Sequence, residues 1–221
     1  MKKTAIILGA SGLTGNILLH TLIEDDRYEY IKLFARSKIE GVPSKVTQYI
    51  GDLLNLDQFK ADFTADEVYC CIGTTTNKTP DKKRYKQIDY GIPVNAARLS
   101  KANGIRTFLV ISSMGANAKS NVFYNKTKGE MERDVLQKDI NNTFLLRPSL
   151  IGGERKERRT LEKIALFVFK IIQPLFFGSS KQYRIIEPKL IARAMINLAN
   201  NTNHTEVIIK SNDIKGIAKH N

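Results

Sequence analysis

Apolar residues fall along this chain in two rhythms. Short unbroken runs, such as Ala5-Ile6-Ile7-Leu8 and Phe108-Leu109-Val110-Ile111, have the length and character of strands buried on both faces. They predict strands over 4–8, 30–35, 46–50, 67–72, 107–112, 143–147 and 206–210. Between them apolar residues recur at helical spacing and predict helices over 12–24, 56–63, 85–103 and 125–138, the third stopped by Gly104. Strand and helix alternate, so the expected fold class is α/β with a doubly wound parallel sheet. No internal repeat and no linker rich in Pro, Gly and Ser breaks the order, and one domain over 1–221 is expected.

The rhythm changes after Arg147-Pro148. Residues 153–182 read as a charged loop, an apolar helical stretch and then Gly178-Ser179-Ser180; a helix follows over 188–200 with Pro188 at its start. Residues 153–200 are expected to cover the sheet edge and to shape a second ligand's pocket. The stretch 161–177 is apolar around much of its circumference and is broken by Lys170 and Pro174. It reads as a core-packing helix, or else as a pocket wall, a homodimer face or a peripheral membrane contact beside the basic residues 155–159.

Composition narrows the class. Hydrophobic residues make up 42% and charged residues 26%, ordinary for a globular protein. Met1-Lys2-Lys3-Thr4 leads straight into a strand, which leaves no room for a signal peptide, and no run of 18 apolar residues offers a membrane span. Adjacent Cys70 and Cys71 would point to opposite faces of a strand, so they read as core thiols of a reducing compartment and a cytoplasmic location is expected. The net charge of +13 raises nucleic acid as a partner. Yet the basic residues are scattered, and the densest run, 154–159, holds two glutamates and no recognition motif. A basic surface that draws in anionic ligands is expected, with no nucleic-acid partner. His20, His204 and His220 show no metal-ligand spacing, and no metal is expected.

Candidate chemistry begins at the first strand-to-helix hinge, where Gly9, Gly12 and Gly15 stand three apart. Gly9 supplies backbone angles that a tight turn needs. Gly12 leaves the backbone open to a phosphate, and Gly15 lets the helix pack close to the strand. The amides of Ser11, Leu13 and Thr14 at the helix N-terminus then face a pyrophosphate, aided by the helix dipole. This is dinucleotide logic, with the spacing G-x-x-G-x-x-G; no Gly-Lys-Ser/Thr follows, which argues against a mononucleotide P-loop. An NAD site usually carries an acid at the end of the second strand. Here Arg36 stands there, 21 residues after Gly15, followed by Ser37 and Lys38. A guanidinium suits a 2′-phosphate, so the expected cofactor is NADP(H). Asp52 and Leu53 after the third strand suit the adenine. Ile72, Gly73 and Thr74 after the fourth let the backbone approach the ribose.

Tyr124 and Lys128 lie four apart at the start of a predicted helix and so share a face. A phenol, with its usual pKa of about 10, is a poor acid or base at neutral pH; a nearby ammonium lowers that value. The pair could exchange a proton with a carbonyl oxygen while a nicotinamide exchanges hydride. Ser113, with Ser112 as the alternative, would hydrogen-bond the same oxygen. Lys126 is two residues from Tyr124 and faces elsewhere.

Together, Gly9/Gly12/Gly15, Ser112-Ser113 and Tyr124/Lys128 resemble the short-chain dehydrogenase/reductase superfamily over essentially the whole chain. Cys71-Ile72-Gly73-Thr74-Thr75, Ser112-Ser113-Met114-Gly115-Ala116, Tyr124-Asn125-Lys126-Thr127-Lys128-Gly129-Glu130, Arg147-Pro148-Ser149-Leu150 and Ile214-Lys215-Gly216-Ile217 resemble its atypical branch, the Tat-interacting-protein-like NAD(P)H-binding reductases. The resemblance implies a Rossmann-like fold, NADPH and a Ser–Tyr–Lys arrangement. It implies that Pro148 to Ile151, Leu150 among them, line the nicotinamide side, and that Asn95 is the superfamily's structural asparagine. Two functions are expected from this: an NADPH-dependent oxidoreductase that reduces a small carbonyl compound, or an NADPH-binding sensor, scaffold or regulator with little or no turnover.

Overall fold

The computed structural model describes residues 2–152, 185–201 and 204–219. The stretch 155–177, with its pocket-wall, dimer and membrane readings, lies outside the described residues. Seven parallel strands form one sheet: β1 (Lys3–Leu8), β2 (Tyr28–Ala35), β3 (Val46–Ile50), β4 (Glu67–Cys70), β5 (Thr107–Ile111), β6 (Asn142–Arg147) and β7 (Ile208–Lys210), in the order β3-β2-β1-β4-β5-β6-β7. The order reverses between β1 and β4, so a crevice opens there at the carboxyl edge, where open α/β sheets hold ligands.

Alternation along each strand feeds two apolar layers. Ala5, Ile7, Ile31, Leu33 and Leu109 face one side, packed by α1 (Leu13–Glu24) and a late helix, Pro188–Asn200. Ile6, Leu8, Phe34, Val68 and Phe108 face the other side. There they meet a 3₁₀ segment, Leu53–Phe59, and the helices that join β4 to β5 and β5 to β6. Cys70 falls in the second layer and Cys71 against the first, so adjacent thiols do face opposite sides. Burial pushes the Cys70 thiol up to about 11, as an apolar site does to any thiol.

The β4–β5 connection departs from a plain helix. Asp81 caps it, its side chain accepting from the Arg84 amide at 2.6 Å. It then runs as α2 (Lys82–Lys86), a π turn (Gln87–Gly91) and α3 (Ile92–Ala102). The cause lies in the sequence. Pro93 has no N–H to give the carbonyl four residues back, and the Ile92 amide bonds instead to Gln87, five back. Asn103 and Gly104, at φ +71°, then end α3 as expected. The remaining helices are α4 (Phe123–Leu136), α5 (Pro188–Asn200) and α6 (Ser211–Ile217).

Candidate functional site at the carboxyl edge of the sheet

The cofactor and catalytic candidates fall on the loops after strands β1 to β6 and on the first turns of the helices those loops enter, at one edge of the sheet. Gly9 follows β1 with φ +86°, and a Cβ there would sit 2.7 Å from the Cys71 carbonyl oxygen. A Cβ on Gly15 would sit 2.2 Å from the Gly9 carbonyl oxygen, which is how closely α1 meets the turn. Gly12 is the N-cap of α1; no side chain caps that helix and its first turn holds no acid. Ser11 and Gly12 are exposed, Leu13 is half-buried and Thr14 is buried. The edge thus offers uncapped amides and a positive dipole end with no competing carboxylate. These features fit the pyrophosphate of a dinucleotide.

Arg36, Ser37 and Lys38 follow β2 and are exposed. Lys38 approaches Glu40 at 3.7 Å, whereas Arg36 makes no ion pair among the described residues. Gly51 ties the end of β3 to the end of β2 through its amide on the Ala35 carbonyl. Asp52 faces solvent and caps the 3₁₀ segment, accepting from the Leu54 amide at 3.0 Å, while Leu53 is buried in the core. Ile72, Gly73 and Thr74 follow β4 beside the Gly9 turn. Pro148 follows β6, and its carbonyl accepts from the Met114 amide at 3.1 Å, which ties the segment containing Ser149 and Leu150 to the loop after β5.

On α4, Tyr124 and Lys128 lie on one face as their spacing requires, and Lys126 is exposed. The Lys128 ammonium is buried, at 3.1 Å from Asp89 Oδ1 and 3.3 Å from the Ile111 carbonyl oxygen. Asp89, also buried, comes from the π turn; its Oδ2 accepts from the Thr74 amide at 2.8 Å. The π turn thereby aims a carboxylate at α4 and fixes the loop after β4. Asn95 Oδ1 accepts from Arg98 Nε at 2.9 Å within α3. Asp89 was not singled out from the sequence. The available signal was a lone acid in the predicted helix over 85–103, four residues before a proline.

Ser113 sits beside the Tyr124 hydroxyl, a lowering influence on that phenol outweighed by burial, and closes no hydrogen bond of ordinary geometry. The Ser112 and Ser113 hydroxyls and Asn125 Oδ1 are buried without a partner among the described residues. The expectation that Lys128 leaves Tyr124 with a depressed pKa fails. The ring is half-exposed but its hydroxyl lies deep, and burial raises its pKa above the usual value. Lys128 opposes this, Asp89 adds to it, and the net direction is up. Burial likewise works against the Lys128 ammonium; Asp89 and then Tyr124 more than offset it, and its pKa stands above the usual value.

A shallow groove of about 530 Å³ lies on the outer side of α2, between Lys82, Lys86, Tyr90 and Phe123, and none of the Ser113, Tyr124 and Lys128 side chains lines it. No cluster of metal-binding side chains occurs among the described residues. Among them, too, no helix is long and apolar enough to cross a membrane.

Residues 9–168 match a protein family described as NAD(P)H-binding. The chain belongs to this family. Within it, the chain is 30% identical over 199 residues to Protein HTATIP2 of Rattus norvegicus, covering 88% of this chain and 80% of that one. It is 32% identical over 168 residues to Protein FMP52, mitochondrial, of Candida albicans, covering 72% and 71%. The fold is similar to a UDP-glucose 4-epimerase from Thermotoga maritima solved with UDP-glucose, with a TM-score of 0.70 at 14% identity over 98% of this chain and 81% of that one. This NAD(P)H-binding protein therefore has a Rossmann-like, doubly wound fold and belongs to a family that takes a nicotinamide cofactor. The cytoplasmic expectation is corrected. Several FMP52 relatives are named mitochondrial, which points away from a purely cytoplasmic location. Two free thiols, one buried and one partly buried, are equally at home in any reducing compartment, so cysteine usage could not separate the two.

Proposed function

We propose that the protein is an NADPH-dependent reductase of small carbonyl compounds. One observation carries this reading. The buried ammonium of Lys128, the deep hydroxyl of Tyr124 and the unpartnered hydroxyl of Ser113 converge at the same sheet edge as the uncapped glycine turn.

In this reading Gly9, Ser11, Gly12, Leu13, Thr14 and Gly15 hold the pyrophosphate through backbone amides. Arg36, with Ser37, holds a 2′-phosphate; its exposure, and its lack of an ion pair among the described residues, support a role in receiving an anion. Asp52 and Leu53 flank the adenine, Ile72, Gly73 and Thr74 the ribose, and Pro148 and Leu150 the nicotinamide side. The bound cofactor supplies hydride. Ser113 donates to the substrate oxygen, and Tyr124 gives that oxygen its proton. Two of the three Lys128 donors are taken by Asp89 and Ile111, which leaves one for a ribose hydroxyl.

The test is NADPH consumption by the wild-type protein across a panel of aldehydes, ketones and quinones. Turnover with at least one class is expected. Tight NADPH binding with no consumption across the panel would return the protein to the sensor or scaffold class.

A further inference from the structure

We propose that Asp89 neutralises Lys128 so that Tyr124 stays a protonated phenol, which builds the site to donate a proton to a carbonyl and not to take one from an alcohol. This rests on the reductase reading and adds a direction to it. Asp89 is a positioning residue: it touches Lys128 and Thr74, and acts on the reaction only through them.

The geometry is specific. Asp89 and Lys128 form an ion pair in which both side chains are almost wholly buried, at 1% and 4% exposure, so solvent screens it little. The carboxylate is fixed by the Thr74 amide, and the ammonium by the Ile111 carbonyl. An ammonium paired in this way presents little net positive charge to a phenol on the same helical face. Among the described residues, the remaining groups facing the three are few. Tyr85 comes from α2, with its hydroxyl directed at the Thr74 carbonyl; Cys70 comes from β4, its thiol held neutral by burial; and Ser113 comes from the loop after β5. None brings a second positive charge. Burial and Asp89 then outweigh Lys128 at Tyr124, which stays protonated throughout the neutral range.

The consequence is chemical. In reduction the carbonyl carbon takes hydride from the reduced nicotinamide, the C=O π pair moves to oxygen, and that oxygen takes the Tyr124 proton. Solvent then reprotonates the phenolate. This direction needs the phenol form, which is abundant. Alcohol oxidation needs the phenolate first, and that form is scarce with Asp89 in place.

Cofactor-free protein provides the direct test. Tyrosinate absorbance is titrated in the wild type and in Tyr124→Phe, and their difference isolates Tyr124. The wild-type difference should appear only above the range of a free tyrosine, about 10. In Asp89→Asn it should move to lower pH, since the amide keeps an acceptor for Lys128 but loses the charge. Each unit of that movement gives about tenfold more phenolate at a fixed pH below the inflection. Alcohol oxidation at neutral pH should rise on the order of tenfold in the variant, while the alkaline limb of carbonyl reduction moves to lower pH. A Tyr124 signal below that of free tyrosine in the wild type would overturn the proposal. So would an unmoved signal in a folded Asp89→Asn protein. The first of these needs no Asp89 variant, so it stands even if that variant fails to fold. Because the absorbance titration uses neither cofactor nor substrate, it is decided separately from the reductase reading, which fails if the carbonyl panel shows no turnover.

Discussion

Arg36 shows what a single residue can decide. It stands where an acid would grip an unphosphorylated ribose, it is exposed, and nothing among the described residues pairs with it. Truncating it should therefore cost NADPH binding and spare NADH. Loss of charge-assisted contacts to a 2′-phosphate costs about 1.5–3 kcal/mol, or roughly tenfold or more in affinity. Fluorescence titration of both cofactors against wild type and Arg36→Ala measures this, and equal wild-type affinities for the two would refute the NADPH preference. That Tyr124 and Lys128 share a helical face and that the glycine triplet forms the first strand-to-helix turn was legible in the sequence, because spacing and position between elements fix both. Asp89 was not. Its inward direction depends on a π turn imposed by Pro93, and periodicity assumes a uniform helix that has no such turn.

Among the elements, the strands were the most legible, because a parallel strand covered on both faces reads as an unbroken apolar run. β2 begins at Tyr28, two residues before its apolar run, because Tyr28 pairs with Lys3 across the sheet. The expected helix over 56–63 is a 3₁₀ segment from Leu53 to Phe59, kinked at Asn55. α6 went unseen, being seven residues with only two buried. At the amino edge of the sheet a polar network fastens α5 to the strands. Tyr28 and Tyr69 both donate to Glu67 Oε2, at 2.8 and 2.7 Å. Lys3 bonds Glu67 Oε1 and, at 2.9 Å, Asn200 Oδ1 of α5, whose Nδ2 donates to the Tyr28 hydroxyl at 2.8 Å. Burial and then Glu67 raise both phenols above their ordinary 10.0. Above pH 10 the unfolded chain therefore binds fewer protons than the native one, and stability falls as pH rises; below pH 10 the contribution is intact. The melting temperature should drop with pH beyond 10, and less steeply in a Tyr28→Phe/Tyr69→Phe double variant. Parallel slopes in the two proteins would show that the network does not carry the effect.

The whole molecule divides its labour between the two edges of one sheet. The amino edge holds a closed, fully paired polar cluster. The carboxyl edge holds open glycine turns, Ser112 and Ser113 hydroxyls with no partner among the described residues, and a buried ion pair on the Tyr124 helix. The central claim is that this second edge performs chemistry and does more than hold a nucleotide. Tyr124 is the group whose proposed role is wholly chemical, so Tyr124→Phe tests the claim most directly, with NADPH affinity and carbonyl reduction measured on the same preparation. Affinity should be nearly unchanged, and turnover should fall by a factor on the order of 10² to 10⁴, the usual contribution of a positioned acid. A Tyr124→Phe protein that keeps full turnover on a good carbonyl substrate would contradict the account and leave Tyr124 as no more than a wall of the cofactor site.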